Sequence, residues 1–278
     1  MSTALDAGQL DQGAPPSARR LKPLAQTTAL ARRSVVSMAR QPVMVVPTFV
    51  FPLLIAAVNT AALQRSIGLP GFPEVDSFLQ FLLPATMAQG VMLGGINGAS
   101  EVAVDIENGF FERLLSSPVS RPSLLVGRLA GAAVFGAFQA VAFTAIFYAF
   151  GARIEAGLAG LVVLVVVAVG LALAIGALGS AVGFRTGKQE AVQNAFPLVF
   201  IFMFLSSAFF PTQLMEGWFR TLSEWNPLTW MIDGTRHQVT VGWDLGEALV
   251  AVAVAFGLAV VTVAVAISQL RRRLAVTS

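Results

Sequence analysis

Residues 156–184 read AGLAGLVVLVVVAVGLALAIGALGSAVGF, 29 positions without a charged side chain. Glu155 and Arg185 close the run at its two ends. A helix rises about 1.5 Å per residue and the hydrocarbon core of a bilayer is about 30 Å thick, so about 20 apolar residues span it. The stretch is therefore read as a membrane-spanning helix. Outward from it lie five more charge-free intervals. Arg40 to Arg65, Asp76 to Glu101 and Arg128 to Arg153 each enclose 24 residues, Glu190 to Glu216 encloses 25, and Glu247 to Arg271 encloses 23. The expected fold is an all-α integral membrane protein with six transmembrane helices. The spans fall at about 41–64, 77–100, 129–152, 157–184, 191–211 and 248–270, within one domain over 41–273. Composition agrees: 12% of the 278 residues are charged, against about 25% in soluble domains.

Charge sets the orientation. Counted on alternate sides of the spans, Arg19, Arg20, Lys22, Arg32, Arg33, Arg40, Arg113, Arg121, Arg128, Arg185, Lys188, Arg271, Arg272 and Arg273 share one side, 14 of the 18 basic residues. Arg65, Arg153, Arg220 and Arg236 take the other. The positive-inside rule puts the larger set, and with it both termini, in the cytoplasm of a plasma (inner) membrane protein. Basic residues placed at span ends orient the chain, so a nucleic-acid partner is not inferred from its pI of about 10.2. Residues 1–20 read as a disordered cytoplasmic tail. Residues 21–40 are basic, either an amphipathic helix on the membrane surface or a solvated continuation of the tail. Residues 274–278 read as a short cytoplasmic tail.

Two connections exceed a simple turn. The cytoplasmic one, from Glu101 to Arg128, is polar and charged. The outer one, from Glu216 to Glu247, holds all four tryptophans, Trp218, Trp225, Trp230 and Trp243. Tryptophan favours the headgroup level, so this segment is expected to dip into the interface as short helices broken near Pro211 and Pro227.

Small residues four apart let helices approach closely in lipid. Gly90, Gly94 and Gly98 form such a stripe, as do Gly179, Gly183 and Gly187, with Gly127 and Gly131 at the start of the third span. The stripes serve static packing or an interface that slides. Polar side chains within spans are few: Asn59, Gln89, Asn97, Gln139, Gln193 and Asn194. Ionisable pairs, which a proton-driven carrier uses, are missing from the spans.

Several chemistries are excluded. No cysteine means no disulfide, thiolate metal site or cysteine nucleophile, and the single histidine, His237, builds no multi-histidine metal site. The nearest approach to a phosphate-binding loop, Gly183 to Gln189, is one residue short, ends in Gln and follows no strand. No motif supplies a nucleophile for His237. A lipid-acting enzyme would have to use Asp233, Arg236, His237 and Asp244, which offer too few convergent groups. The chain itself is read as a non-enzyme that binds no cofactor or metal.

Two stretches carry a family likeness. One is DIENGFFERLLSSPVSRPSLLVGR at residues 105–128, with its Arg-Leu-Leu-x-x-Pro-x-x-Arg core. The other starts at Ser206-Ser-Ala-Phe-Phe-Pro211, continues through Trp218, and ends in Trp225-Asn226-Pro227-Leu-Thr-Trp-Met-Ile-Asp233-Gly-Thr-Arg236. In this order, with this number of spans between them, the chain resembles a type-2 ABC exporter permease of the daunorubicin-resistance branch over roughly residues 30 to 273.

The resemblance implies a transmembrane subunit working by alternating access with a separate ATP-binding subunit, which carries the ATP and Mg. It also implies a second permease chain, the same or different, and a lipophilic or amphipathic substrate taken from or through membrane lipid. It implies a cytoplasmic coupling helix that docks on the ATP-binding subunit through Glu107, Gly109, Phe110, Phe111, Glu112, Arg113, Leu114, Leu115, Pro118 and Arg121. The apolar residues of this loop suit a groove, or alternatively a lipid surface. Gln89, Met92, Asn97, Gln193, Asn194, Phe202 and Phe209 are the candidates for lining the translocation path. Pro211, Trp218, Asn226, Pro227 and Arg236 mark the outer re-entrant segment. The competing reading is an ion-coupled carrier or channel.

Overall fold

A computed structural model of the chain describes residues 42–115 and 121–276, and all regular structure among them is helical. The segments expected as a tail at 1–20 and a basic helix at 21–40, together with Pro118, lie outside the described residues. Helix α1 covers Pro42–Leu63 and runs into a short 3-10 turn, Gln64–Gly68. Helix α2 is Phe78–Glu107, α3 Phe110–Leu115, α4 Arg121–Ala149 and α5 Gly157–Thr186. Helices α6, Gln189–Gln193, and α7, Phe196–Phe204, are short. Then come α8, Gly217–Trp225, α9, Pro227–Thr240, and α10, Leu245–Val276.

Five of these stretches are long and apolar enough to cross a membrane: Pro42–Gly68, Phe78–Glu107, Leu125–Ala149, Gly157–Thr186 and Leu245–Ala275. Helices α2 and α5 have 30 residues each and α10 has 32, about 45 Å of rise, so they outrun a bilayer core of about 30 Å. The residues expected to start the C-terminal tail belong to α10, where Leu274 is buried against α5 and α4 residues.

The expected span at 191–211 does not form as one helix. Lys188 precedes α6, a break falls at Asn194–Ala195, and α7 covers nine residues, about 13.5 Å. Pro197 accounts for the break, since it has no N–H for the carbonyl of Gln193 and is tolerated only in the first turn of a new helix, where it stands in α7. The far end of α7 is closed by side chains. Asn226 donates to the carbonyls of Phe202 (2.6 Å) and Leu205 (3.0 Å), and the Ser206 hydroxyl to that of Met203 (2.6 Å). The segment nevertheless runs most of the length of α2. It begins at Gln189, whose N–H donates to Glu107 at 2.9 Å, and it ends at Ser207 and Ala208, whose carbonyls meet Arg236, which also bonds the carbonyl of Phe81.

Helix α2 is the centre of the bundle. It is 89% buried over its apolar window, against 17% for α1 and 28% for α10, and it packs against α1, α4, α5, α6 and α9. Glycines permit this crowding. A Cβ at Gly94 would lie 2.7 Å from Phe135 and Gln139 of α4, and one at Gly95 would lie 2.9 Å from Ile175 of α5. One at Gly179 would lie 2.5 Å from the Ala99 Cβ. The stripe at Gly90 and Gly94 therefore faces α4, that at Gly179 and Gly183 faces α2, and Gly95, outside either stripe, meets α5. Gly187 belongs to another device: its φ of +64° ends α5, with its N–H bonded to the carbonyl of Gly183.

Contacts define two ends of the bundle. At one, Gln80 donates to the carbonyls of Arg153 and Val239, both 3.2 Å, joining α2, the α4–α5 turn and α9. This end carries Trp218, Trp225, Trp230 and Trp243, all exposed. At the other, Arg273 donates to the carbonyl of Phe184 at 3.1 Å, where a cation complements the negative end of α5.

Candidate coupling and translocation sites

The arginine end presents a short helix on a turn. α2 stops at Asn108 because Gly109 takes φ +64°, a left-handed conformation that favours glycine, and α3 starts at once. Phe111 is buried, its ring 5.9 Å from that of Phe184, in a cluster with Val102, Ile106, Leu125 and Leu270. It therefore fastens α3 to its own bundle. Phe110 is half-buried, and the exposed Arg113 guanidinium folds back over it, 6.0 Å from the ring centre, with Nε donating to the carbonyl of Gly109 at 3.3 Å. Glu107 is exposed and is tied to α6 through the N–H of Gln189. Glu112, Leu114 and Leu115 are placed on α3 and Arg121 at the start of α4 by backbone alone.

Beneath α3, Arg128 of α4 pairs with Asp105 of α2, side chains 22% and 19% exposed. Sequence reasoning missed this pair. Both residues fell in the cytoplasmic connection from Glu101 to Arg128, but nothing in the sequence said that they meet. Beside it lie two narrow cavities, of about 10 and 20 Å³, which share Gly98 and Glu101. Volumes of that size suit about one water each.

The expected path residues sit at different depths in the single chain. Gln89 and Met92 lie inside the protomer, 2% and 3% exposed. Asn97 is half-buried and donates to the carbonyl of Met44 in α1 at 3.0 Å. Gln193, Asn194 and Phe202 are exposed on the outside of the bundle. Phe209 is half-buried and stacks on Phe204, centroids 5.3 Å apart.

The tryptophan end holds the densest polar network among the described residues. Asn226 and Pro227 form the elbow between α8 and α9. The Asn226 side chain accepts from the N–H of Leu228 while its amide holds the end of α7. Proline suits the first turn of α9, where its missing N–H costs nothing. Pro211 is buried ahead of a 3-10 turn at Thr212–Leu214, and Trp218 is exposed on α8. Arg236 is 5% exposed and fully engaged. It pairs with Asp233, donates from Nε to the carbonyl of Phe81 (3.2 Å) and from Nη2 to that of Ser207 (2.8 Å), and lies 3.8 Å over the Phe81 ring. The Ser207 hydroxyl donates to Asp233 at 2.6 Å, and the Ser207 N–H donates to Thr229. Burial pulls the Arg236 guanidinium down to about 10 and pushes the Asp233 carboxyl up, each partner opposing the other's shift. Arg236 thus ties α9, α2 and the stretch after α7 into one knot.

The model of the ABC-2 type transporter family matches residues 25–239, which include both the α3 loop and the α8–α9 elbow. The chain belongs to the ABC-2 type transporter family. Among its relatives is a daunorubicin resistance ABC transporter permease protein, DrrB1, of Streptomyces coeruleorubidus. It is 23% identical over 223 residues, 78% of this chain and 77% of that one. A probable doxorubicin resistance ABC transporter permease protein, DrrC, of Mycobacterium tuberculosis is 26% identical over 218 residues, 77% of this chain and 76% of its own. A putative transport permease, ycf38, of Pyropia yezoensis is 26% identical over 229 residues, 80% and 77% of the two chains. The chain is thus a multi-pass membrane protein similar to permeases named for daunorubicin and doxorubicin resistance, and its family is the transmembrane part of the transporter rather than the ATPase.

Proposed function

We propose that the chain is the translocating subunit of an ATP-driven exporter in the plasma membrane, with both termini cytoplasmic and six crossings, the fifth made by α6, α7 and the stretch after them. It works beside a second permease chain and above separate ATP-binding subunits that hold ATP and Mg. Its substrate is lipophilic or amphipathic, in keeping with the drugs named for two relatives. The observation that carries this reading is the family match, joined to a short helix, α3, held out at the arginine end.

ATP closing the partner subunits would push on α3. Phe111, seated against Phe184, and the Asp105–Arg128 pair would pass that push into α5 and α4. The spans would then switch between inward-open and outward-open arrangements, a two-state change biased by nucleotide.

The test is co-expression with the neighbouring ATP-binding subunit, purification, and vanadate-sensitive ATP hydrolysis in vesicles. Arg113→Ala is expected to leave insertion intact and to cut substrate-stimulated hydrolysis at least fivefold. Unchanged stimulation removes α3 from the coupling role. Transport that stops with a proton uncoupler at constant ATP favours the ion-coupled carrier.

A further inference from the structure

The tryptophan end also holds a cleft that the exporter reading does not use. Its volume is about 200 Å³, and it is walled by Pro73, Pro211, Gln213, Asp233, Arg236, His237, Thr240, Val241 and Glu247. Its bonding inventory is one-sided. The guanidinium of Arg236 is spent on Asp233 and on the carbonyls of Phe81, Ser207 and Ala208. Both bonds to Asp233 fall on Oδ1, from Arg236 and from the Ser207 hydroxyl, which leaves Oδ2 for the cleft. The Thr240 hydroxyl donates inward to the carbonyl of Arg236 at 3.0 Å. Glu247, at the start of α10, is exposed, and its backbone N–H binds Asp244 while its carboxylate remains at the rim. His237 Nδ1 is buried without a partner. The wall therefore offers carboxylate oxygens, with its one permanent cation already matched.

We propose that this cleft is a binding site for an organic ammonium group, held between Asp233 Oδ2 and the Glu247 carboxylate. An anion would find no uncommitted guanidinium there. A neutral apolar group would leave the carboxylates stripped of water, which is costly. Pro73, Pro211 and Val241 supply apolar wall for the carbons next to the nitrogen.

The site stands apart from ATP coupling and is tested on the full-length permease alone, in lipid nanodiscs, without its ATPase. The probe is benzylamine, with benzyl alcohol as the uncharged match. The readout is tryptophan emission, since Trp230 lies on α9 and Trp243 in the turn before α10. A saturable change with benzylamine and none with benzyl alcohol is expected. Affinity should fall at least fivefold in Glu247→Gln, whose side chain makes no bond the fold relies on. Asp233→Asn should weaken it also. An equal response to benzyl alcohol, or an unaltered affinity in Glu247→Gln, overturns the proposal. Either result leaves the exporter reading where the ATPase experiment puts it.

Discussion

Arg236 is a cation where water hardly reaches, and its neighbours make that tolerable. One carboxylate, three carbonyls and an aromatic face surround it. Removing Arg236 leaves Asp233 uncompensated, and because that side chain is 40% exposed the cost falls below the ~3–5 kcal/mol of a fully buried pair. Arg236→Met should therefore lower the unfolding midpoint of the purified permease strongly, and Arg236→Lys less, because one ammonium cannot reach all the carbonyls. The variant also carries a pH signature. Burial already pushes the Asp233 carboxyl up, and Arg236 is the larger of the two influences that pull it back. Without Arg236 the folded state holds a proton on Asp233 more tightly than the unfolded chain does. The stability lost at neutral pH then returns as pH falls through that raised value. Unfolding curves of Arg236→Met that ignore acidification would show that Asp233 finds another partner. The Asp233–Arg236 pair was legible from its spacing of three on a helix. The attachment to Phe81, 155 positions away, was not, because only the fold brings α2 and α9 together.

The glycines of α2 and α5 turn a sequence pattern into a measurable difference between helix crossings. A Cβ at Gly179 meets that of Ala99 at 2.5 Å, and neither atom can rotate away, whereas Gly257 on α10 has nothing within 4 Å. Gly179→Ala should cost about 1–3 kcal/mol through forced separation of α2 and α5. Gly257→Ala should raise stability by up to about 1 kcal/mol through helix propensity alone. Thermal unfolding of the two variants side by side decides it, and a destabilised Gly257→Ala would mean that this face of α10 is crowded by another chain. Long charge-free runs made the five continuous helices readable, since lipid permits little else of that length. The same rule failed at 191–211 because lack of charge does not speak to helix continuity. Pro197 was the available signal, and the other half of the cause, the Asn226 amide reaching the carbonyls of Phe202 and Leu205, lies 21 to 24 residues downstream. Phe111 was equally hidden: a six-residue helix is too short for periodicity to say which of two adjacent phenylalanines turns inward.

Across the whole molecule, the broken segment decides how many times the chain crosses the bilayer. Five crossings would place the termini on opposite faces, and six would place them on one face. The contacts carry the chain from Glu107, at the arginine end of α2, to Arg236, beside Phe81 near its tryptophan end. A span needs no unbroken helix when its freed carbonyls find donors inside the protein, and Asn226, Ser206 and Arg236 provide them here. The absence of native cysteine makes this testable without a prior background substitution. Lys188→Cys and Gln213→Cys flank the segment, and both positions are exposed. Leu69→Cys and Arg272→Cys mark the tryptophan and arginine ends. In intact cells a membrane-impermeant maleimide should label positions 213 and 69, and positions 188 and 272 should react only after permeabilisation. Labelling of 188 and 213 from the same side would make α6 and α7 a re-entrant hairpin. The permease would then have five crossings, and its charge asymmetry would need another explanation.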